Sequence, residues 1–280
     1  MEDIPQQYDE PLARIVGGKE VDISVVPYTV AIFESDLYVC VGSYIQLHWI
    51  LTAAHCVEDY PPPESHVVNF DKLLLQMGLT KLLNDSDAQS RMSVTLVLHE
   101  KYTPWEYSYD IALISISKQF VLNDRVAMIP LITQEMFYDS QVAIVAGWGY
   151  EAFLGDGPAR TIQAIELNIV SKSKCALLYK DDVKSLADDA LCAGKDQKDA
   201  CHGDSGAALA FQKPMVQIGL VSWGFGCGSD LPGIYTDVYY HKQWIINSTE
   251  LYLNLKNSEY CTRYYLRSYV LSFVLLSIVL

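Results

Sequence analysis

A serine hydroxyl is a poor nucleophile until a neighbouring base accepts its proton, so a chain that reacts through serine must bring the two together. Four segments of this 280-residue chain hold residues of suitable type: Arg14-Ile15-Val16-Gly17-Gly18, Leu51-Thr52-Ala53-Ala54-His55-Cys56, Asp110-Ile111-Ala112-Leu113 and Gly203-Asp204-Ser205-Gly206. Among them His55, Asp110 and Ser205 lie far apart in sequence and can meet only in a fold. Met singly, His55 reads as a core histidine, Asp110 as a turn residue and Ser205 as a loop hydroxyl. As a set they point to nucleophilic catalysis.

In this order and at these separations the segments resemble the trypsin/chymotrypsin family of serine proteases, in its trypsin-like branch. Gly147-Trp148-Gly149 and Ser222-Trp223-Gly224 extend the resemblance over Ile15 to about Ile246. It implies that Ser205 is the nucleophile and that His55 takes its proton and returns it to the leaving amine. Asp110 would fix the imidazole tautomer and stabilise the charged ring. Backbone N–H groups of Gly203 and Ser205 would form the oxyanion hole. The implied activity is endopeptidase cleavage of protein or peptide substrates through an acyl-enzyme, with no organic cofactor.

The resemblance also implies a zymogen. Cleavage after Arg14 would free the amino group of Ile15 to pair with Asp204 inside the protein, because a buried charge survives only when paired. Met1 to Arg14 is then an activation peptide, and the partners include an activating trypsin-like protease and serine protease inhibitors. Asp199, six positions before Ser205, stands where the trypsin branch places the carboxylate at the base of its primary pocket. Gly224 and Gly233 occupy the two wall positions that leave such a pocket open, beside Ser222 and Trp223. Cleavage after Arg or Lys follows, since a buried carboxylate needs a cationic partner. The alternative at Asp199 is a solvated loop with Asp196, in which Lys198 neutralises it. Phe/Tyr-directed, chymotrypsin-like cleavage is the rival specificity. The rival functions are a pseudoprotease that uses the cleft as a binding module and a structural or adhesive surface protein.

Seven cysteines, none in C-x-x-C spacing, favour disulfides over a zinc or redox site. Spacing alone leaves 15 connectivities for six of them. The resemblance implies Cys40 with Cys56, Cys175 with Cys192 and Cys201 with Cys227, leaving Cys261 as a free thiol, a lipidation site, an intermolecular bridge or a discarded residue. Two departures from the family stand out. Ala207-Ala208 replaces the usual Gly-Pro after Ser205-Gly206, adding methyl groups that restrict the backbone behind the nucleophile. Met77 to Ser90 corresponds to the calcium loop of many trypsins but holds no glutamate, and Asp85 and Asp87 do not match the ligands; no metal is expected. His202, at the pocket rim, reads as a solvated residue or a substrate contact, and Tyr60 to Asn69, with three consecutive prolines, as a stiff wall beside the cleft.

The elements that must position these residues read as strands: short runs rich in Val, Ile, Leu and Tyr separated by turns. They are Tyr28 to Phe33, Tyr38 to Ile45, Leu73 to Leu79, Ser93 to Leu98, Ile111 to Ile116, Val142 to Ala146, Ile162 to Ile169, Ala207 to Phe211, Val216 to Ser222 and Gly233 to Asp237. Helical period occurs at Lys172 to Tyr179 and Tyr240 to Leu253. The pattern alone says all-β; the resemblance implies two six-stranded antiparallel barrels with a C-terminal helix across the back. Their expected extents are about 15–120 and 121–238 within a protease domain of 15–246, the site lying between them.

Composition agrees with a folded chain: 50% hydrophobic and 19% charged, which excludes disordered and collagen-like classes. A formal charge of −14 would be repelled by phosphate backbones, so no nucleic acid partner is expected. Asn84-Asp85-Ser86 and Asn247-Ser248-Thr249 are glycosylation acceptors that fit a secretory compartment. Met1 to Glu10 has neither a basic start nor an apolar stretch, which conflicts with that compartment. Numbering that begins after signal removal, a misplaced gene start and a cytosolic protein with reduced thiols are the three readings. The extension 247–280 ends in the apolar run Tyr269 to Leu280. It reads as a glycolipid-anchor signal, a short membrane-embedded tail or an incidental tail, so the expected location is extracellular, with membrane association through the tail.

Overall fold

The computed structural model describes residues 17–58, 67–82, 85–104, 107–134, 141–150, 157–180, 185–194 and 199–250. The first half of the chain forms β1 (Lys19–Glu20), β2 (Thr29–Glu34), β3 (Leu37–Gln46), β4 (Trp49–Thr52), β5 (Val67–Asn69), β6 (Leu73–Met77), β7 (Gln89–Leu98) and β8 (Ala112–Ile116). The second half forms β9 (Val142–Gly147), β10 (Gln163–Val170), the helix α1 (Lys172–Leu178), β11 (Ala190–Gly194), β12 (Ala208–Gln212), β13 (Met215–Trp223) and β14 (Gly233–Asp237). A further helix runs over 242–250.

Antiparallel pairing in the order β7-β6-β2-β3-β4-β8 is closed by β7–β8, and β10-β11-β14-β13-β12-β9 is closed by β10–β9. The fold is therefore two closed six-stranded barrels, the chymotrypsin-like architecture. Closure removes the free sheet edges that an open sheet would expose. β5 is appended to β7. Lys19–Glu20, although it precedes the first barrel in sequence, pairs with β10 of the second through Lys19↔Ala164 and Glu20↔Gln163.

Period-two alternation builds the first core. In β6, Leu73, Leu75 and Met77 are buried while Leu74 and Gln76 are half-buried. These pack in one cluster with Val30, Ile32, Tyr44, Ile50, Leu96 and Ile114. Predicted strands and observed strands agree within a few residues at their ends, but β1, β4, β5 and β11 carry no expectation. The disulfides Cys40–Cys56, Cys175–Cys192 and Cys201–Cys227 are formed as the resemblance implied. The barrels are stitched where it matters for chemistry: the Val41 N–H of β3 donates to the Ser205 carbonyl at 2.9 Å, and Ser43 Oγ donates to Gln217 Oε1 of β13 at 2.7 Å.

Candidate active site

His55 sits in a 3-10 turn, Ala54–Cys56, that ends β4 and is tied to β3 by the Cys40–Cys56 bridge. Asp110 lies two residues before β8 and is wholly buried. Its Oδ1 accepts the backbone N–H of His55 at 2.9 Å, and its Oδ2 faces His55 Nδ1 at 2.8 Å. Ser222 Oγ donates to the same Oδ2 at 2.5 Å. Burial alone would raise the Asp110 carboxyl, but the charge and hydrogen bond of His55 and the Ser222 hydroxyl hold it below the ordinary carboxylate range. An ionised carboxylate can only accept, so the proton lies on Nδ1 of His55 and Nε2 is left as the base. Burial pulls the His55 imidazolium down, yet the Asp110 charge and hydrogen bond, with Glu58 adding, lift it above its ordinary value.

Ser205 lines the same cavity as His55, a space of about 330 Å³ whose walls also include Asp199, Trp223, Gly224 and Gly233. The backbone around it needs glycine. Gly203 has φ +89° and Gly206 φ +77°. A Cβ on Gly206 would fall 2.2 Å from Thr52 Oγ1 and 2.4 Å from the Val41 carbonyl oxygen. Among the described residues neither the Gly203 nor the Ser205 N–H has a protein acceptor, which suits a pair of donors waiting for an oxyanion. Ala207 and Ala208 are buried without positive φ, so their methyl groups are housed in ordinary backbone.

Asp199, 4% exposed, is one of the residues that line the cavity. Burial, with the Asp204 charge adding, pushes its carboxyl to about 7 against the backbone N–H groups of Ala200 and Gly228. Among the described residues no cation pairs with it; Lys198 and Asp196 lie outside them. The wall glycines leave the way to it open: a Cβ on Gly233 would come 2.8 Å from Asp199 Oδ1, and one on Gly224 3.7 Å from Oδ2.

Asp204 is a further buried carboxyl beside the site. It accepts N–H groups of Gly149 at 2.9 Å and Cys201 at 3.0 Å, and burial raises it to about 6. Arg14 and Ile15 lie outside the described residues, as do Asn84, Cys261 and the apolar tail. Asn247 is exposed on the helix 242–250 and its Oδ1 accepts Gln243 Nε2 at 2.8 Å. Among the described residues no helix is long and apolar enough to cross a membrane.

Sequence reasoning missed several residues around the site. Tyr38 donates its hydroxyl to the Gly203 carbonyl at 2.7 Å, bracing the oxyanion loop from β3. Tyr107, at φ +46°, sets its ring 6.0 Å from His55 and 6.4 Å from Trp223. In the loop after β6, Arg125 reaches Asp85 at 2.5 Å and Asp87 at 2.9 Å, so a guanidinium bridges both acids. Cys40 and Cys56 gather near His55 in a metal-like cluster, but both sulfurs are spent in a disulfide.

A buried carboxylate, a tautomer-fixed imidazole and a glycine-cradled serine on two closed barrels are the parts of a serine protease. The Trypsin family model matches residues 15–245, and the chain belongs to that family. It is 32% identical to trypsin alpha of Drosophila erecta, over 84% of this chain and 87% of that protein. It is 33% identical to human testisin, over 83% and 77%. Against mouse transmembrane protease serine 11G it is 30% identical over 86% of its own length but spans only 57% of that protein.

Proposed function

We propose that this chain is a serine endopeptidase that cleaves after Arg or Lys through an acyl-enzyme, with His55, Asp110 and Ser205 as its catalytic residues. The observation that carries the reading is the His55–Asp110 hydrogen bond at 2.8 Å beside a cavity that His55, Ser205 and Asp199 line together. His55 Nε2 removes the Ser205 proton as Oγ attacks the scissile carbonyl; the N–H groups of Gly203 and Ser205 hold the oxyanion. The imidazolium, stabilised by Asp110, then protonates the leaving amine, and water repeats the cycle on the acyl-enzyme. A guanidinium or ammonium entering past Gly224 and Gly233 meets the Asp199 carboxylate.

The chain matures by cleavage after Arg14, which separates the activation peptide 1–14 from the protease domain 15–246 and the extension 247–280. The Asp204 carboxyl, buried and without a cationic partner among the described residues, is the receptor for the new Ile15 amino group. Three disulfides favour an oxidising, extracellular setting.

The test is hydrolysis of matched peptide amides ending in Arg, Lys or Phe by protein cut after Arg14, beside uncut protein and Ser205→Ala. Arg/Lys turnover that requires both the cut and Ser205 supports every part of the reading. Phe preference overturns the pocket assignment, and no turnover by folded, cut protein overturns the enzyme assignment in favour of a binding module.

A further inference from the structure

A second buried imidazole–carboxylate pair lies directly behind the first. Asp189 and His241 are 3% and 2% exposed, and His241 Nε2 is 2.7 Å from Asp189 Oδ2. That same oxygen accepts the backbone N–H of Tyr109 at 2.8 Å. Tyr109 is the residue before Asp110, and it is held at φ +54°. An L side chain stays in that region only where its surroundings over-determine it. The surroundings do so here. The Tyr109 ring packs 4.8 Å from the His99 ring, 5.5 Å from His241 and 6.1 Å from Tyr240. Its carbonyl accepts the Ile111 N–H at 2.8 Å, turning the chain sharply around Asp110.

We propose that Asp189 and His241 are positioning residues of the protease: their pair pins the Tyr109 N–H and thereby aims the Asp110 carboxylate at His55. The inference rests on the catalytic reading of Asp110. The backbone on the far side of Asp110 is held separately, by Thr236 Oγ1 donating to the Asp110 carbonyl at 2.9 Å. On the near side it is Tyr109 that holds the turn, its ring by packing and its N–H by the Asp189 carboxylate. His241 supplies the second donor that keeps a buried carboxylate satisfied and in place. The acid is anchored in turn, since its own carbonyl accepts the Asp237 N–H at 2.8 Å.

Besides Tyr109, the charged and titratable groups around the pair come from two segments, 99–101 and 237–240. His99 lies 5.0 Å from His241, and its Nδ1 accepts the Lys101 N–H at 3.1 Å, so its proton is on Nε2. Glu100 is 3.7 Å from His99 Nδ1, and Lys101 Nζ lies 5.4 Å from the Tyr109 ring centre. Asp237 accepts N–H groups of Tyr239 and Tyr240. Burial first, and the neighbouring His241 charge, keep His99 low, at about 4, despite Glu100.

The experiment uses the full chain, cut after Arg14, in wild-type form and as Asp189→Asn, His241→Phe and His241→Gln, each checked for folding by near-ultraviolet circular dichroism. The first readout is the proton resonance of the His55 Nδ1–H facing Asp110 and the titration of His55 by NMR. Loss of aim should weaken that resonance and lower the His55 pKa in Asp189→Asn and His241→Phe. His241→Gln, which returns an N–H toward Asp189, should restore part of it. The second readout is turnover of an Arg amide, with kcat down about tenfold and KM within about twofold. A folded Asp189→Asn or His241→Phe protein with wild-type His55 titration and resonance overturns the proposal. A wild-type protein that shows the resonance but no turnover sinks the protease reading instead, and the NMR comparison still decides this one.

Discussion

Binding of a cation at Asp199 should be steeply pH-dependent in a range where ordinary carboxylates are inert. Burial lifts this carboxyl from 3.8 to about 7. At 1.36 kcal/mol per unit, that is about 4 kcal/mol of preference for the neutral form in the empty pocket. A raised carboxyl gives its full stability below its unfolded value and loses it as pH climbs to the folded value. The empty protein should therefore lose stability between about pH 4 and 7, and a cationic ligand should restore it above that window. If a guanidinium binds only the ionised form, its dissociation constant rises about elevenfold at pH 6 and about a hundredfold at pH 5, relative to pH 9. The assay is isothermal titration of phenylguanidine, with neutral phenylurea as its isostere, into cut Ser205→Ala protein from pH 5 to 9. Repeating it with His55→Ala removes repulsion from the imidazolium. About half a proton should be released per ligand bound near pH 7. Affinity that stays flat between pH 5.5 and 8 would refute the reasoning, because Asp199 would then be either already ionised or not the group that meets the cation.

Asp110→Asn should keep the fold but cost about 10⁴-fold in kcat, because an amide no longer fixes the Nδ1–H tautomer; a loss below about tenfold on a peptide amide would contradict that role. Gly206→Ala meets Thr52 and Val41 with φ at +77°, and should destabilise by roughly 3 kcal/mol, a fall in Tm of roughly 6–12 °C by calorimetry. Asp204→Asn should stabilise the uncut chain at pH 7 by up to about 3 kcal/mol, since its raised carboxyl loses stability as pH rises through about 6, yet leave the cut chain inactive. Urea melts at pH 4 and 7 should show that gain growing with pH.

Strands of five or more residues rich in Val, Ile, Leu and Tyr were legible from sequence whether they alternate or are buried throughout, and those that are very short or made largely of small residues were not. β6 places Leu73, Leu75 and Met77 on one face and was found; β11, Ala190–Gly194, has small residues that carry little β preference and is held extended between β10 and β14. β1 and β5, two and three residues long, are too short for a period to emerge. Within the site, His55, Asp110, Ser205 and Asp199 stand in local motifs, and the fold brings all four to one cavity or its wall. Tyr38 and the Asp189–His241 pair have no motif. Their contacts join residues 165 and 52 positions apart, so their meaning exists only once the barrels close. Arg125 escaped for the same reason: its partners Asp85 and Asp87 lie across a loop from β6, and nothing near Arg125 in sequence announces them.

The short pairing of Lys19–Glu20 with β10 acts as a leash. Glu20 sits opposite Gln163, whose other neighbour is Gly147, and a Cβ on Gly147 would touch the Asp204 carboxylate. Two strand spacings, about 10 Å, therefore separate the fastened end of the chain from the strand beside Asp204. Four residues reach at most about 14 Å, so an amino group created at Ile15 would search a volume equivalent to a concentration on the order of 0.1 M. Activation on this reading is a local search that concentration in solution cannot speed or slow. Lengthening the leash with glycines before Lys19 would dilute the amino group and leave more of the cut protein in its resting form.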